Sequence, residues 1–433
     1  MKQTMKKYFI FLASAAMLLA TSCAKEEVNT TGETELITVQ LNPETKTALG
    51  AEGTTTWDAD DQVSVTVGEK VVGTLSLVGG STFSGEITAG LSGEATLNYP
   101  AGVTAIPEPQ AAVDESFADG AALLEGTTTV EDLRAGKSVE LKNKTALLKF
   151  TVAQAGNVTF EVGTAKYTVT GCKTGETYYA CVEPAEDVNL VARIDGYLSR
   201  ATSDVVTFTA STVADLEELP APVASNWGIA GEANDWTETD PIILYKDLND
   251  CVVVRDFSGG AFKFVKDKSW NVNRGIRSRD ASSPSKGNWN LCGTKDITLS
   301  NGSYDVYFIP KYGVFNFIDK GANVDNYAPS GKAIYLQVKD WSASDAYFEA
   351  WAWGSANPDA WYKFAMAGEE DNTHYVMYVP NDVTEMKILR KGPDSTSEAW
   401  DSWNDSGNQT IPSGKNMFIE DGWDNYSWGT YTM

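Results

Sequence analysis

Apolar and polar residues alternate in short runs along almost the whole chain, and this alternation narrows the fold more than any other feature. Ile37/Val39/Leu41, Val63/Val65/Val67, Leu148/Phe150/Val152, Tyr304/Val306/Phe308 and Ile334/Leu336/Val338 all repeat with period two. Period two places every second side chain on one face of a strand. Apolar residues hold helical spacing for no more than about two turns anywhere. Short strands broken by Gly, Asn, Asp and Ser clusters predict an all-β chain of sandwiches rather than a parallel α/β sheet.

At 433 residues the chain is long enough for several domains. Two composition breaks divide it. Pro220-Ala221-Pro222 ends a first region, and Ala328-Pro329-Ser330-Gly331 separates two later stretches. The expected organisation is three tandem β-sandwich domains over 34–219, 226–325 and 332–433. They follow a leader over 1–22 and a polar tether over 23–33.

The leader has a positive head (Lys2, Lys6, Lys7), an apolar run from Tyr8 to Ala20, and small residues before Cys23. The apolar run is shorter than the ~20 residues a membrane helix needs. Ala20-Thr21-Ser22-Cys23 resembles a bacterial lipobox, which implies a lipoprotein signal peptide and lipidation at Cys23. Two or more acyl chains give stable anchoring. Lys25-Glu26-Glu27 resembles the tag that sends some Gram-negative lipoproteins to the outer face. The expected location is the outer membrane at the cell surface, touching the membrane only through lipid.

The net charge of -25 makes nucleic acid and anionic lipid headgroups poor partners, because both are held by clustered Lys and Arg. Four cysteines remain beside Cys23, an even number in an exported chain. Cys172 and Cys181 flank the turn Lys173-Thr174-Gly175-Glu176 and could face each other across a hairpin. Cys251 and Cys292 could close a second disulfide. Buried thiols are the alternative for both pairs.

Thr45-Lys46-Thr47, followed by Thr56-Trp57-Asp58-Ala59-Asp60-Asp61-Gln62-Val63-Ser64-Val65, resembles the opening of fimbrillin-like proteins. The block Val139–Phe150 (VELKNKTALLKF) also fits that pilin-like family. The resemblance implies a transthyretin-like sandwich at the cell surface, with Trp57 covering the edge of its core. Two aromatic-rich modules stand where a polymerising pilin would carry its strand for β-addition. A tip or stand-alone adhesin therefore fits better than a shaft subunit.

Of 13 tryptophans, only Trp57 precedes the first break. Asn226-Trp227-Gly228-Ile229-Ala230-Gly231, Asn234-Asp235-Trp236, Phe262-Lys263-Phe264, Ser269-Trp270-Asn271-Val272-Asn273 and Gly302-Ser303-Tyr304-Asp305-Val306-Tyr307 resemble the repeated domains of outer-membrane starch-binding lipoproteins. In the last module, Tyr347–Gly354 (YFEAWAWG), Trp361, Lys387-Ile388-Leu389-Arg390, Trp400-Asp401-Ser402-Trp403-Asn404 and Gln409-Thr410 resemble β-sandwich modules attached to starch-active enzymes.

A sugar binder needs such residues for a physical reason. A pyranose has an apolar C–H face that can lie on an indole, worth about 1–3 kcal/mol by analogy with base stacking. Planar Asn, Gln, Asp and Arg groups can read its belt of hydroxyls. Along Tyr347–Trp353, Phe348, Ala350 and Ala352 form an all-apolar face, so Trp351 and Trp353 are predicted to point outward. Trp351, Trp353, Trp361, Arg390, Trp400 and Trp403 are the candidate carbohydrate-binding residues; Trp227, Trp236, Trp270 and Trp341 are expected in cores.

Catalysis has little support. His374 is the only histidine, and Gly-x-Ser-x-Gly, His-Glu-x-x-His, phosphate-loop and Cys-x-x-Cys patterns are missing. Asp58, Asp60 and Asp61 lack the glycine and distal glutamate of a calcium loop. No enzyme activity, metal or cofactor is expected. The expected function is binding of a polysaccharide or surface glycan, α-glucan first, beside other outer-membrane glycan-uptake proteins. The alternative is a fimbrial accessory or tip adhesin whose partners are other pilins.

Overall fold

A computed structural model describes residues 32–43, 57, 59–112, 123–277, 284–322, 324, 327–343, 345–354, 356, 358–368 and 370–432. Cys23, the lipobox-like residues before it and most of the expected tether lie outside these residues, as do Thr45, Lys46, Thr47 and Asp58. The described chain is almost entirely β, with Val130–Arg134 as its one α-helix. Among these residues no helix is long and apolar enough to cross a membrane.

The region expected to be one sandwich over 34–219 contains two separate cores. Residues 32–43, 57, 59–102 and 124–142 form one body, and 103–112, 123 and 143–432 form the other. In the first body, seven strands close into a barrel in the order Thr34–Pro43, Thr82–Thr88, Lys70–Gly79, Gln62–Val67, Glu94–Tyr99, Leu124–Thr129 and Val139–Asn143. The closing contact is parallel, pairing Leu41 with Val139 and Pro43 with Leu141. Inward-facing Ile37, Val39, Leu41, Val63, Val65, Phe83 and Leu97 fill it. Trp57 meets that core edge-on, 4.9 Å from the ring of Phe83 and 5.2 Å from that of Tyr99.

The second body begins with a sandwich. One sheet runs Tyr197–Ala201, Leu190–Ile194, Gly156–Val162, Ala165–Cys172, Gln110–Ala111; the other runs Tyr178–Val182, Ala146–Val152, Val213–Leu219. Leu148, Phe150, Val158 and Phe160 share the core between them. Gln110 joins the sheets: its strand pairs with Ala165–Cys172, while its buried side chain accepts from the Cys181 N–H at 2.9 Å and donates to the Cys181 carbonyl at 2.7 Å.

From Ala224 to Asp319 nine strands form one sheet whose first strand, Ala224–Gly231, also pairs with Gly260–Lys266, so the sheet curls back on itself. The last module is a sandwich. Its sheets are Ala365–Met366, His374–Val379, Lys332–Gln337, Met417–Glu420, Tyr426–Gly429 and Ala360–Lys363, Tyr347–Trp353, Glu385–Lys391, Asn404–Asp405, with Gln409–Thr410 beside Glu385–Lys391. Buried residues from both modules, among them Trp227, Phe308, Ile334 and Phe418, share one cluster. Gly313 marks the junction. Its φ is +60°, and a Cβ there would lie 2.3 Å from the Met366 carbonyl oxygen.

Neither disulfide forms: Cys172, Cys181, Cys251 and Cys292 are buried thiols. The Cys172–Cys181 turn crosses from one sheet to the facing one instead of making a hairpin. Cys172 points into the shared core, whereas Cys181 does not belong to it. Cys251 and Cys292 lie in different clusters, the former beside Val253 and Tyr307 and the latter beside Trp227 and Phe264. Burial pushes the Cys172 and Cys251 thiols up to about 12 and raises Cys292 as well. The thiolate is the reactive form. Mass spectrometry should therefore find these four thiols unmodified by iodoacetamide in the folded protein at neutral pH and all modified in guanidinium. Rapid labelling of any of the four without denaturant would contradict their burial.

Candidate functional site

The strand Tyr347–Trp353 alternates between two environments. Phe348, Ala350 and Ala352 are fully buried in the distal core, while Trp351 and Trp353 are half-buried on the opposite face. Register explains the neighbours. Trp351 pairs with Trp361 on one side and Lys387 on the other, and Trp353 pairs with Glu385. Paired residues share a face.

Three rings converge there. The Trp351 and Trp361 centroids are 5.3 Å apart, Trp361 and Trp400 5.0 Å, and Trp351 and Trp400 6.1 Å, all inclined rather than stacked. Trp400 is 58% exposed although it is among the largest side chains. The Lys387 ammonium sits 5.5 Å from the Trp400 ring and that of Lys391 5.3 Å from Trp361. Trp353 extends the row, its indole N–H donating to Glu385 at 2.7 Å. One exposed ring and three half-buried ones thus share a single face of the module.

Behind this shelf lies a buried charge cluster. Glu349 has no exposed surface and meets the Arg277 guanidinium at 3.2 Å and the Lys391 ammonium at 3.4 Å. It also accepts from the Ser397 hydroxyl at 2.7 Å and the Glu398 N–H at 2.8 Å. Burial alone would raise the carboxyl, but these hydrogen bonds and the two cations outweigh it and hold it below its usual range. The cluster fixes the segment Ser395–Trp400, so the buried charges position an exposed ring. Tyr347 adds a hydrogen bond from its hydroxyl to the Ser395 carbonyl at 3.0 Å.

Arg390 and Trp403 belong elsewhere. Arg390 pairs with Phe348, on the core-facing side of its strand, and is 9% exposed. Its Nε donates to the Trp341 carbonyl at 2.6 Å and Nη1 to Asn404 Oδ1 at 3.1 Å. Its guanidinium carbon lies 4.9 Å from the Trp403 ring and 5.5 Å from that of Trp423, so the cation is held between two exposed indoles. Burial pulls its proton affinity below the ordinary arginine value. Trp403 rests directly on Gly392, where a Cβ would lie 1.9 Å from the ring. The six candidate residues therefore form two aromatic groups, Trp351/Trp353/Trp361/Trp400 and Trp403/Arg390, rather than one site.

Sequence reasoning overlooked Trp423, which is 51% exposed in the Asp421-Gly422-Trp423-Asp424 turn. A tryptophan flanked by acids and glycine was the available signal. Trp227 and Trp341 are core residues, as expected. Trp236 and Trp270 are not: they are half-buried and lie 6.2 Å apart. Trp236 sits at φ +56° beyond the end of its strand, which keeps it out of the alternating pattern. His374 is buried, 2.9 Å from Asp371 and stacked on Tyr431. Among the described residues no group of three or more His, Cys, Asp or Glu is arranged to hold a metal ion.

No family model matches this sequence. A search of curated proteins likewise returns no match. Among solved structures, the chain is similar to a fimbrial protein from Bacteroides ovatus at 10% identity and TM-score 0.24, covering 44% of this chain and 52% of that one; it thus spans about half of that protein's length. It is also similar to a protein assigned to cell adhesion from Bacteroides uniformis, at 13% identity and TM-score 0.27, covering 43% of this chain and 94% of that one. A third, assigned to cell adhesion in Bacteroides fragilis, shows 9% identity and TM-score 0.24 over 48% of this chain and 97% of its own.

Proposed function

We propose that this chain is a lipid-anchored adhesive protein of the cell surface that binds glycan on the distal aromatic shelf without chemically altering it. The observation that carries the reading is the open cluster of Trp351, Trp361 and Trp400, backed by a buried charge network that holds the Trp400 segment in place. Large apolar rings are kept at a surface only at a cost, and three of them gathered together offer the flat apolar area that a pyranose face requires. Lys387 and Glu385 stand at the rim as hydrogen-bonding groups for hydroxyls. The anchored location rests on the leader and Cys23.

The test uses whole cells and purified protein together. Cells producing the chain should adhere to immobilised starch or another polysaccharide from a broad panel. Cys23→Ser should abolish adhesion while the purified protein still binds. Trp400→Ala should weaken purified binding about 5- to 150-fold, as loss of one stacking surface predicts. Wild-type protein that binds no member of the panel would refute the glycan reading.

A further inference from the structure

The second body holds two concavities, the smaller of which adjoins the shelf. The smaller, of about 300 Å³, is bounded by Trp361–Lys363 of one sheet and Val376–Tyr378 of the other, with Tyr312 and Tyr327 contributed by the preceding module. The larger, of about 770 Å³, is a cleft bounded by the first sandwich and that module, with Trp289, Tyr307 and Tyr327 in its wall. Both volumes fall in the range of ligand sites, about 300–1,000 Å³.

Shared residues make the three regions continuous. Tyr327 lines both concavities, and Trp361 lines the smaller one while also forming the shelf. The intervening rings follow one another closely: Trp289 to Tyr327 is 5.5 Å, Tyr327 to Tyr312 is 5.9 Å, and Tyr312 to Tyr378 is 5.9 Å. All four are half-buried, so packing fixes their orientation while part of each stays open.

We propose that the shelf is one end of a longer track that holds an extended, uncharged oligosaccharide across the two distal modules and into the cleft. This proposal rests on the glycan reading of the shelf. The track's charge balance supports a neutral occupant. In the cleft four cationic side chains, among them Arg193 and Arg255, are matched by four carboxylates, among them Asp247 and Asp305. Arg193 meets Asp247 at 3.0 Å and Arg255 meets Asp305 at 3.0 Å. In the smaller pocket Lys363 is paired with Glu398 at 3.0 Å. A charged polymer would have to break these pairs, whereas hydroxyl groups can add hydrogen bonds to them. Burial raises the phenols of Tyr327 and Tyr378, so both remain protonated donors at neutral pH.

A track of this length makes affinity depend on chain length. Titration with maltose through maltoheptaose and cellobiose through cellohexaose should show affinity in one series rising with each added sugar. Tyr327→Ala and Tyr378→Ala should remove most of that rise, weakening the longest member about tenfold and leaving the disaccharide unchanged. Trp400→Ala should weaken short and long members alike. Circular dichroism and unchanged thermal midpoints establish that the tyrosine variants fold; Tyr327→Phe and Tyr378→Phe, which keep the rings, repeat the titration if an alanine variant does not. Affinity that is flat with length, or a rise preserved in both tyrosine variants, overturns the track while leaving the shelf intact. Failure of both series to bind the wild type overturns the track, and failure of the polysaccharide panel as well overturns the shelf with it.

Discussion

Glu349→Ala should lower the free energy of unfolding by about 3–5 kcal/mol, the usual cost of stranding buried charge. Its two cationic partners are as deeply placed as the carboxylate itself: Arg277 is 3% exposed and Lys391 is fully buried. Lys391 also donates to the Thr396 and Ala399 carbonyls at 2.6 and 2.5 Å, but neutral carbonyls do not cancel its charge. Glu349→Gln keeps the shape and part of the hydrogen bonding, so a smaller loss is expected. Urea unfolding followed by tryptophan fluorescence measures both, and an unchanged midpoint for the alanine variant would show that the cluster contributes nothing.

The same cluster predicts a pH dependence of definite sign. The folded-state carboxyl titrates below the ordinary glutamate range. Its stabilisation is therefore fully present above the unfolded value, about 4.3, and is lost as pH falls through the lower folded value. The stability difference between wild type and Glu349→Gln should accordingly hold at neutral pH and shrink below about pH 4. Because Ser397 and Glu398 hold the segment that ends in Trp400, the alanine variant should also bind glycan more weakly than its remaining stability alone implies.

Arg274→Met should cost on the order of 3 kcal/mol, because it leaves several buried acceptors without a donor. Arg274 is fully buried in Ser269–Ile276 yet reaches into the last module. It donates to Asn372 Oδ1 at 2.7 Å, the Asp371 carbonyl at 2.8 Å and the Gly368 carbonyl at 2.9 Å. Asn372 reinforces the junction by accepting from the Asn273 N–H at 3.0 Å and donating to the Asn271 carbonyl at 3.0 Å. The variant should unfold at lower urea, and hydrogen exchange should rise first around residues 367–374. Exchange that rises uniformly across both modules would mean that the arginine is not the local fastener the geometry describes.

Several parts of the site were readable from residue order alone. The all-apolar Phe348/Ala350/Ala352 face identified the core side of its strand, so the outward turn of Trp351 and Trp353 followed from backbone geometry. Arg390 carries the opposite lesson. A charged residue in a strand reads as solvent-facing, yet this one lies at the end of the core face, where a backbone carbonyl and two indoles receive it. The cysteine pairs misled for a related reason. Spacing describes how far apart two thiols lie along the chain, but the side of the sheet each one faces depends on which strands pair.

The divisions of the chain show where local information ends. The proline-rich break at Pro220 was visible in composition, whereas the passage from barrel to sandwich near Lys142 was not, because strands on both sides share the same Val, Leu and Thr alternation. The barrel closes by pairing Leu41 with Val139, residues far apart in sequence whose contact leaves no local mark. Likewise, Tyr312, Tyr327 and Tyr378 are unremarkable in their own segments and come together only where two modules meet. The sequence by itself determined the β class, the core face of strands such as the one carrying Phe348, Ala350 and Ala352, and the wealth of aromatic rings in the distal half, since period and composition act over a few residues. Tertiary structure alone decided which rings gather on one surface, which charges are buried behind them and where one core stops, because those outcomes depend on pairing between distant strands.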